Sequence, residues 1–186
     1  MIEDVTQLPH PDRLFEMLRS GRHLCADDGT LYVALRAEYD GYSRLFGCLG
    51  FELVESSRGF YYFRTDGDLG KEAAQLAVFF FVLVEFWGDT GGDLEATAFD
   101  PVGLAVDELP HLTRETWRQC MAEADVHDFN DLAEVVRRLE RYGFATEAGP
   151  GRFRFRTPAW RFLDLCAEVQ QEAKQQVVAE DAENAP

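Results

Sequence analysis

The 186-residue chain carries 18 basic and 34 acidic side chains, a formal net charge of −16, with 46% hydrophobic and 28% charged residues. That composition is ordinary for a globular protein able to bury a core, as one large domain or two small ones. The charge excludes broad contact with nucleic acid or an anionic membrane, favours protein partners with basic surfaces, and confines any DNA contact to a local patch.

In chain order, Pro11 and Asp12 open a helix, DRLFEMLRS, with Gly21 placed to stop it. One helix is expected from Thr30 to Leu49, because Leu31, Leu35, Tyr42, Leu45 and Leu49 recur at helical spacing. Gly50 ends it, and the hairpin GFELVESSRGFYYFR follows over 50–64. A polar break, TDGD, precedes a helix from Leu69 to Trp87 that is apolar on nearly all sides and so central to the packing. GDTGGD over 88–93 reads as a loop, and a short helix is expected within Val102 to Leu109. Thr113 or Thr116 is the candidate cap of TRETWRQCMAEA, and a turn at DVHD leads into FNDLAEVVRRLERYG. In that helix Phe129, Leu132, Val136 and Leu139 are expected to face inward, with Asn130, Glu134, Arg137 and Arg141 opposite. A second hairpin, GFATEAGPGRFRFR, covers 143–156, and Trp160 and Leu163 share one side of a last amphipathic segment after Pro158.

The two hairpins match without gaps. Gly50, Phe51, Phe60 and Tyr62 fall opposite Gly143, Phe144, Phe153 and Phe155 at a constant offset of 93 residues. Each follows the glycine that ends an amphipathic helix, the order of a winged helix-turn-helix. The expected fold is therefore α+β and mainly helical, with tandem winged-helix domains, each bearing a β-hairpin wing. The divisions are 1–66, 67–157, and a C-terminal helix with an acidic, partly disordered tail over 158–186.

The wings differ. In the second, strand alternation puts Phe153 and Phe155 on one face and Arg152, Arg154 and Arg156 on the other. Residues 137–161 hold seven arginines against two acids, a local balance of +5 that leaves −21 for the remainder. Two readings stand side by side. Arg137, Arg141, Arg152, Arg154 and Arg156 are candidate phosphate contacts, weak and blind to sequence, or they pair with the acidic remainder. Asp128, Asp131 and Glu134 occupy the part of the preceding helix that would read bases, which argues against a sequence-specific repressor. In the first wing Phe60, Tyr61, Tyr62 and Phe63 put rings on both faces, marking either a protein interface, between domains or subunits, or plain core.

No catalytic constellation is expected. DTG at 89–91 sits in a Gly-rich turn, GDLGKE has Glu72 where a phosphate loop needs Ser or Thr, and GxSxG and HExxH are missing. Cys25, Cys48, Cys120 and Cys166 form no CxxC pair, and His10, His23, His111 and His127 are dispersed, so no metal or cofactor is expected. The chain opens without a leader pattern, and the apolar run LAVFFFVLV over 76–84 is less than half a membrane span, so a cytoplasmic protein is expected.

LRSGRHL at 18–24, the helix beginning LYVALRAEYDGYSRLF, and the first hairpin resemble the first winged-helix domain of the bacterial condensin subunit MukE and its shorter relative MksE. VVRRLERYGFATEAGPGRFRFRTPAWRF resembles the end of that family's second such domain. The chain's abbreviated middle is closer to MksE. The resemblance implies a non-catalytic kite subunit, a homodimer at the nucleoid. It would bind a kleisin of the MksF/MukF kind and, through it, an SMC ATPase of the MksB/MukB kind. The complex would organise or segregate chromosomal DNA, or act against plasmids. Arg19, Gly21, Arg22 and His23 belong to the shared motif, with no role legible beyond helix capping. The competing reading is a stand-alone winged-helix DNA-binding regulator.

Overall fold

A computed structural model describes residues 7–64, 70–166 and 168–169. The expected acidic tail lies outside them. The chain is α+β and mainly helical, with two small antiparallel sheets.

In the N-terminal half, α1 spans Pro11–Arg19, with Pro11 in its first turn where the missing amide costs nothing. The expected single helix is two, α2 over Thr30–Ala37 and α3 over Tyr39–Cys48, broken at Glu38 (φ −120°, ψ 33°). The break resets the helical phase. Phe46 enters the core at 1% exposure, whereas Leu49, expected on the apolar face, is 56% exposed. Strands β1 (Glu52–Glu55) and β2 (Tyr61–Arg64) form the first hairpin, pairing Leu53 with Phe63 and Val54 with Tyr62. Leu24 bridges to Tyr61 on the other edge of β2 through two backbone hydrogen bonds of 2.9 and 2.8 Å.

The C-terminal half is built on α4, Lys71–Thr90, which runs through the first half of the expected glycine loop before Gly91 caps it in the left-handed region. By length and composition α4 is apolar enough to cross a membrane. Here Leu76, Phe79, Phe80, Leu83 and Trp87 are core residues of this half. After α5 (Leu94–Ala98) comes β3, Leu104–Ala105, then a 3-10 turn over Val106–Glu108, where a short helix was expected. α6 covers Glu115–Glu123 without a side-chain cap: Thr113 bonds the Pro110 carbonyl and Thr116 lies inside the helix. α7 covers Phe129–Arg141 and is capped by Asp128, whose carboxylate accepts from the amides of Asn130 and Asp131. Phe129, expected inward, is 49% exposed because it opens the helix ahead of the core, and Val135 takes its place at 0%.

β4 (Ala145–Gly149) and β5 (Arg152–Phe155) form the second hairpin with a bulge between Glu147 and Gly149, and the sheet order is β3-β5-β4. Both halves thus place the return strand of the hairpin centrally, flanked by its partner and by a short extended segment from earlier in the chain. A helix over 160–166 closes the structure, with Leu163 buried and Trp160 stacked on Phe99. Each half has its own hydrophobic core: Leu14, Leu35, Tyr42, Phe46 and Phe63 in the first, Phe79, Leu132, Phe153 and Phe155 in the second. Each fully buried large apolar side chain contributes about 1.5–3 kcal/mol.

Candidate functional site: the junction between the halves

The motif LRSGRHL wraps the corner where α1 ends. Gly21 turns the chain at φ 84°, and Arg22 and His23 then lead to the Leu24 bridge. Cys25 to Asp28 close a tight turn in which the Asp28 carboxylate accepts from the Cys25 amide at 3.0 Å. Facing it is a corner of the other half, where Gly143 turns from α7 into the second hairpin at φ 79°. A Cβ on Gly143 would stand 2.4 Å from the His23 carbonyl oxygen, and one on Gly21 would stand 3.2 Å from the Tyr142 ring. Both glycines therefore combine a left-handed backbone with close approach.

Several sets of contacts among the described residues join the two halves here. The His23 amide donates to the Tyr142 carbonyl at 2.8 Å. Its ring packs on Phe144 (4.5 Å between centroids) and stacks on Tyr62 (5.1 Å), while Arg161 donates to Nε2 at 2.8 Å and lies over the Tyr62 ring. Arg156 is the second set. Only 3% exposed, it donates to Asp28 (2.5 Å), Asp27 (3.4 Å) and the Gly143 carbonyl (3.3 Å). Arg22 shares Asp28 and reaches the Glu140 carbonyl at 3.3 Å. In the third, Arg58 at the tip of the first hairpin forks onto Asp164 at 3.1 and 2.7 Å and lies 4.1 Å over the Trp160 ring. A groove of about 540 Å³ opens beside the junction, lined by Ala73, Leu76, Ala77, Phe162 and Leu165 together with His23 and Tyr142.

The motif's role thus becomes clear for three of its four residues. Gly21, Arg22 and His23 join the halves, whereas Arg19 pairs with Glu16 on the surface of α1. The first-hairpin aromatics divide by face: Tyr61 and Phe63 enter the N-terminal core, while Phe60 and Tyr62 turn to His23. Of the five arginines read as phosphate contacts, Arg156 is closed off from solvent, ending the in-and-out alternation one residue early. Arg137 pairs with Glu134, Arg141 with Glu72, Arg152 with Glu108 and two carbonyls, and Arg154 with Asp27. The local excess read along the chain is therefore met in space by acids from elsewhere. Asp27, Asp28 and Arg58 went unremarked in the sequence, and Gly143 was read only as a helix stop; the available signal was the acid pair in LCADDG set against the later arginine run.

Burial, and secondarily the nearby Arg161, hold the His23 ring's pKa down to about 3, against weaker pulls from the Tyr142 and Gly21 carbonyls. Burial likewise holds His111 at about 4, stacked on Phe79 and donating from Nε2 to the Phe79 carbonyl at 2.9 Å. Both rings are neutral in the fold, and an unfolded histidine protonates near pH 6.5. The unfolded chain then binds protons the folded one refuses. Stability is full above about pH 6.5 and falls as pH drops towards about 4, with a slope approaching roughly 3 kcal/mol per pH unit for the two together. Urea unfolding over this range should show that loss, and His111→Gln, which keeps a donor without titrating, should about halve the slope.

Burial also raises the thiol pKa values of Cys25 and Cys166, the latter to about 11, and all four cysteines are free. Among the described residues no group of His, Cys, Asp and Glu is placed to hold a metal ion. Two helix-and-hairpin units are thus joined by ion pairs and stacked rings, with the buried Arg156 and His23 committed to the contact. The family model of the condensin complex protein MksE matches residues 9–167. The chain belongs to that family, and so is a subunit of a condensin complex. No curated protein matches it.

Proposed function

We propose that this chain is a non-catalytic accessory subunit that binds the kleisin of an SMC condensin and, through it, assists the SMC ATPase on DNA. The complex serves chromosome condensation and segregation or defence against plasmids, in the cytoplasm at the nucleoid. In this reading residues 1–66 and 67–157 are two winged-helix domains, and 158–186 form the closing helix and tail. The repeated element order, with a central return strand in each half, supports that division. The subunit acts as a homodimer.

The observation that carries the reading is the junction itself. Gly21, Arg22 and His23 of the LRSGRHL motif, with Arg156 and Arg161, hold two hairpin units in one fixed relation, as a scaffold presenting surfaces to other proteins requires. The apolar groove beside it is a surface of the kind a partner segment occupies. Affinity purification of the tagged protein from its host at moderate salt should recover a long coiled-coil ATPase and a kleisin. Recovery of the protein alone, or with DNA but no ATPase, overturns the reading.

A further inference from the structure

We propose that the arginine face of the second hairpin is a phosphate-binding surface for duplex DNA, held in a shielded state by two carboxylates of the same chain. Asp27 covers Arg154 and Glu108 covers Arg152. The inference rests on the reading that the subunit works on DNA, but not on its kleisin contact.

The two arginines occupy alternate positions of β5, so they project from one face roughly 6.8 Å apart. Phe153 and Phe155 anchor the strand from behind, buried to 2% and 0% exposure. A polyanion with regularly repeated charge can meet the Arg154 fork and the remaining donors of Arg152 without regard to sequence. The shields are weakly held. Arg154 meets Asp27 at 3.6 Å with 36% and 41% of the two side chains exposed, and its guanidinium has no other partner among the described residues. Half-exposed pairs of this kind contribute about 0–1 kcal/mol, so a phosphate can displace the carboxylate. Arg152 keeps its bonds to the Val102 and Gly103 carbonyls when Glu108 leaves, and so stays aimed along the strand edge. Asp27 is also expendable to the junction, because Arg156 retains Asp28 at 2.5 Å. Shielding explains how a chain of charge −16 can carry an arginine face without binding nucleic acid indiscriminately.

The test is fluorescence anisotropy of a labelled duplex of random sequence with the full chain, titrated over a range of salt. The double variant Asp27→Asn with Glu108→Gln is expected to bind about tenfold more tightly at low salt. Its dependence of log affinity on log salt should steepen by roughly 1.8, two phosphate contacts' worth. Adding Arg152→Ala and Arg154→Ala should remove the gain. Asp27→Asn alone, checked for an unchanged melting temperature, should give about half the steepening, which guards against misfolding of the double variant. An unchanged slope, or a gain that survives loss of both arginines, overturns the proposal. Competition by polyglutamate as effective as by DNA reassigns the face to an acidic protein segment and likewise overturns it. Because no kleisin is present, failure of the purification experiment leaves this outcome independent.

Discussion

Methionine in place of Arg156 is expected to destabilise the protein by about 3–5 kcal/mol, the usual cost of removing one partner from a buried ion pair. The substitution fills a similar volume but leaves Asp28, whose side chain is 8% exposed, without its closest cation, and strips the Gly143 carbonyl of a donor. Arg22 still touches Asp28 but lies at 3.2 Å and is itself partly solvated, so it offsets only a fraction. Lysine should be intermediate, since one ammonium cannot reach Asp27, Asp28 and Gly143 in the geometry the fork allows. Adding Asp28→Asn to Arg156→Met should recover part of the loss, because the uncompensated charge then goes with its partner. Urea unfolding of the four proteins measures each term. Near-equal stability of Arg156→Met and the parent would show that the pair contributes little.

Gly143→Ala is expected to do comparable damage by a different route. At φ 79° any L-residue is strained by about 1–2 kcal/mol, and the added methyl collides with the His23 backbone oxygen, costing about 1–3 kcal/mol more. Relief requires the two corners to separate, which breaks the bond from the His23 amide to the Tyr142 carbonyl. Each half has its own core, so the expected result is loss of coupling as well as of stability. Trp87, Trp117 and Trp160 all belong to the C-terminal half, so fluorescence follows that half while far-ultraviolet circular dichroism follows both. The two signals should unfold together in the parent and apart in Gly143→Ala. Gly47→Ala is the control: Gly47 lies in α3 with open space around it, and the change should add roughly 0.5–1 kcal/mol.

Local periodicity made much of this molecule legible. Both hairpins, the ends of α1 at Pro11 and Gly21, and the central place of α4 follow from spacing and from turn-forming residues alone. What escaped was set by distant partners. Nothing within residues 30–49 signals the break at Glu38, because the two tyrosines beside it are drawn elsewhere: Tyr39 donates to the Leu53 carbonyl and Tyr42 to that of Pro9. Strand β3 is two residues long and exists only through pairing with β5, far later in the chain. The junction is the extreme case. His23 and Arg161 are 138 residues apart, and Arg156 and Asp28 are 128 apart, so residue type could mark LRSGRH as unusual but not say what it grips. The arginine run was visible as charge, while the acids that meet it, Glu72, Glu108 and the pair Asp27 and Asp28, lie far from it in a chain rich in acids.

The repeated hairpins invite the thought that the halves descend from a two-fold symmetric pair, yet the contact between them is heterologous. In an isologous pair each corner would be gripped by the other unit in the same way. Gly143 is pressed against His23, but its counterpart Gly50, at φ 83°, has no atom of the described residues within 4 Å of where its Cβ would stand. One copy of the corner is consumed and the other is vacant. The His23 surface that grips Gly143 is already filled within each chain, so a second copy would have to displace that contact to use it. A homodimer of the kind proposed would then use a surface separate from the junction.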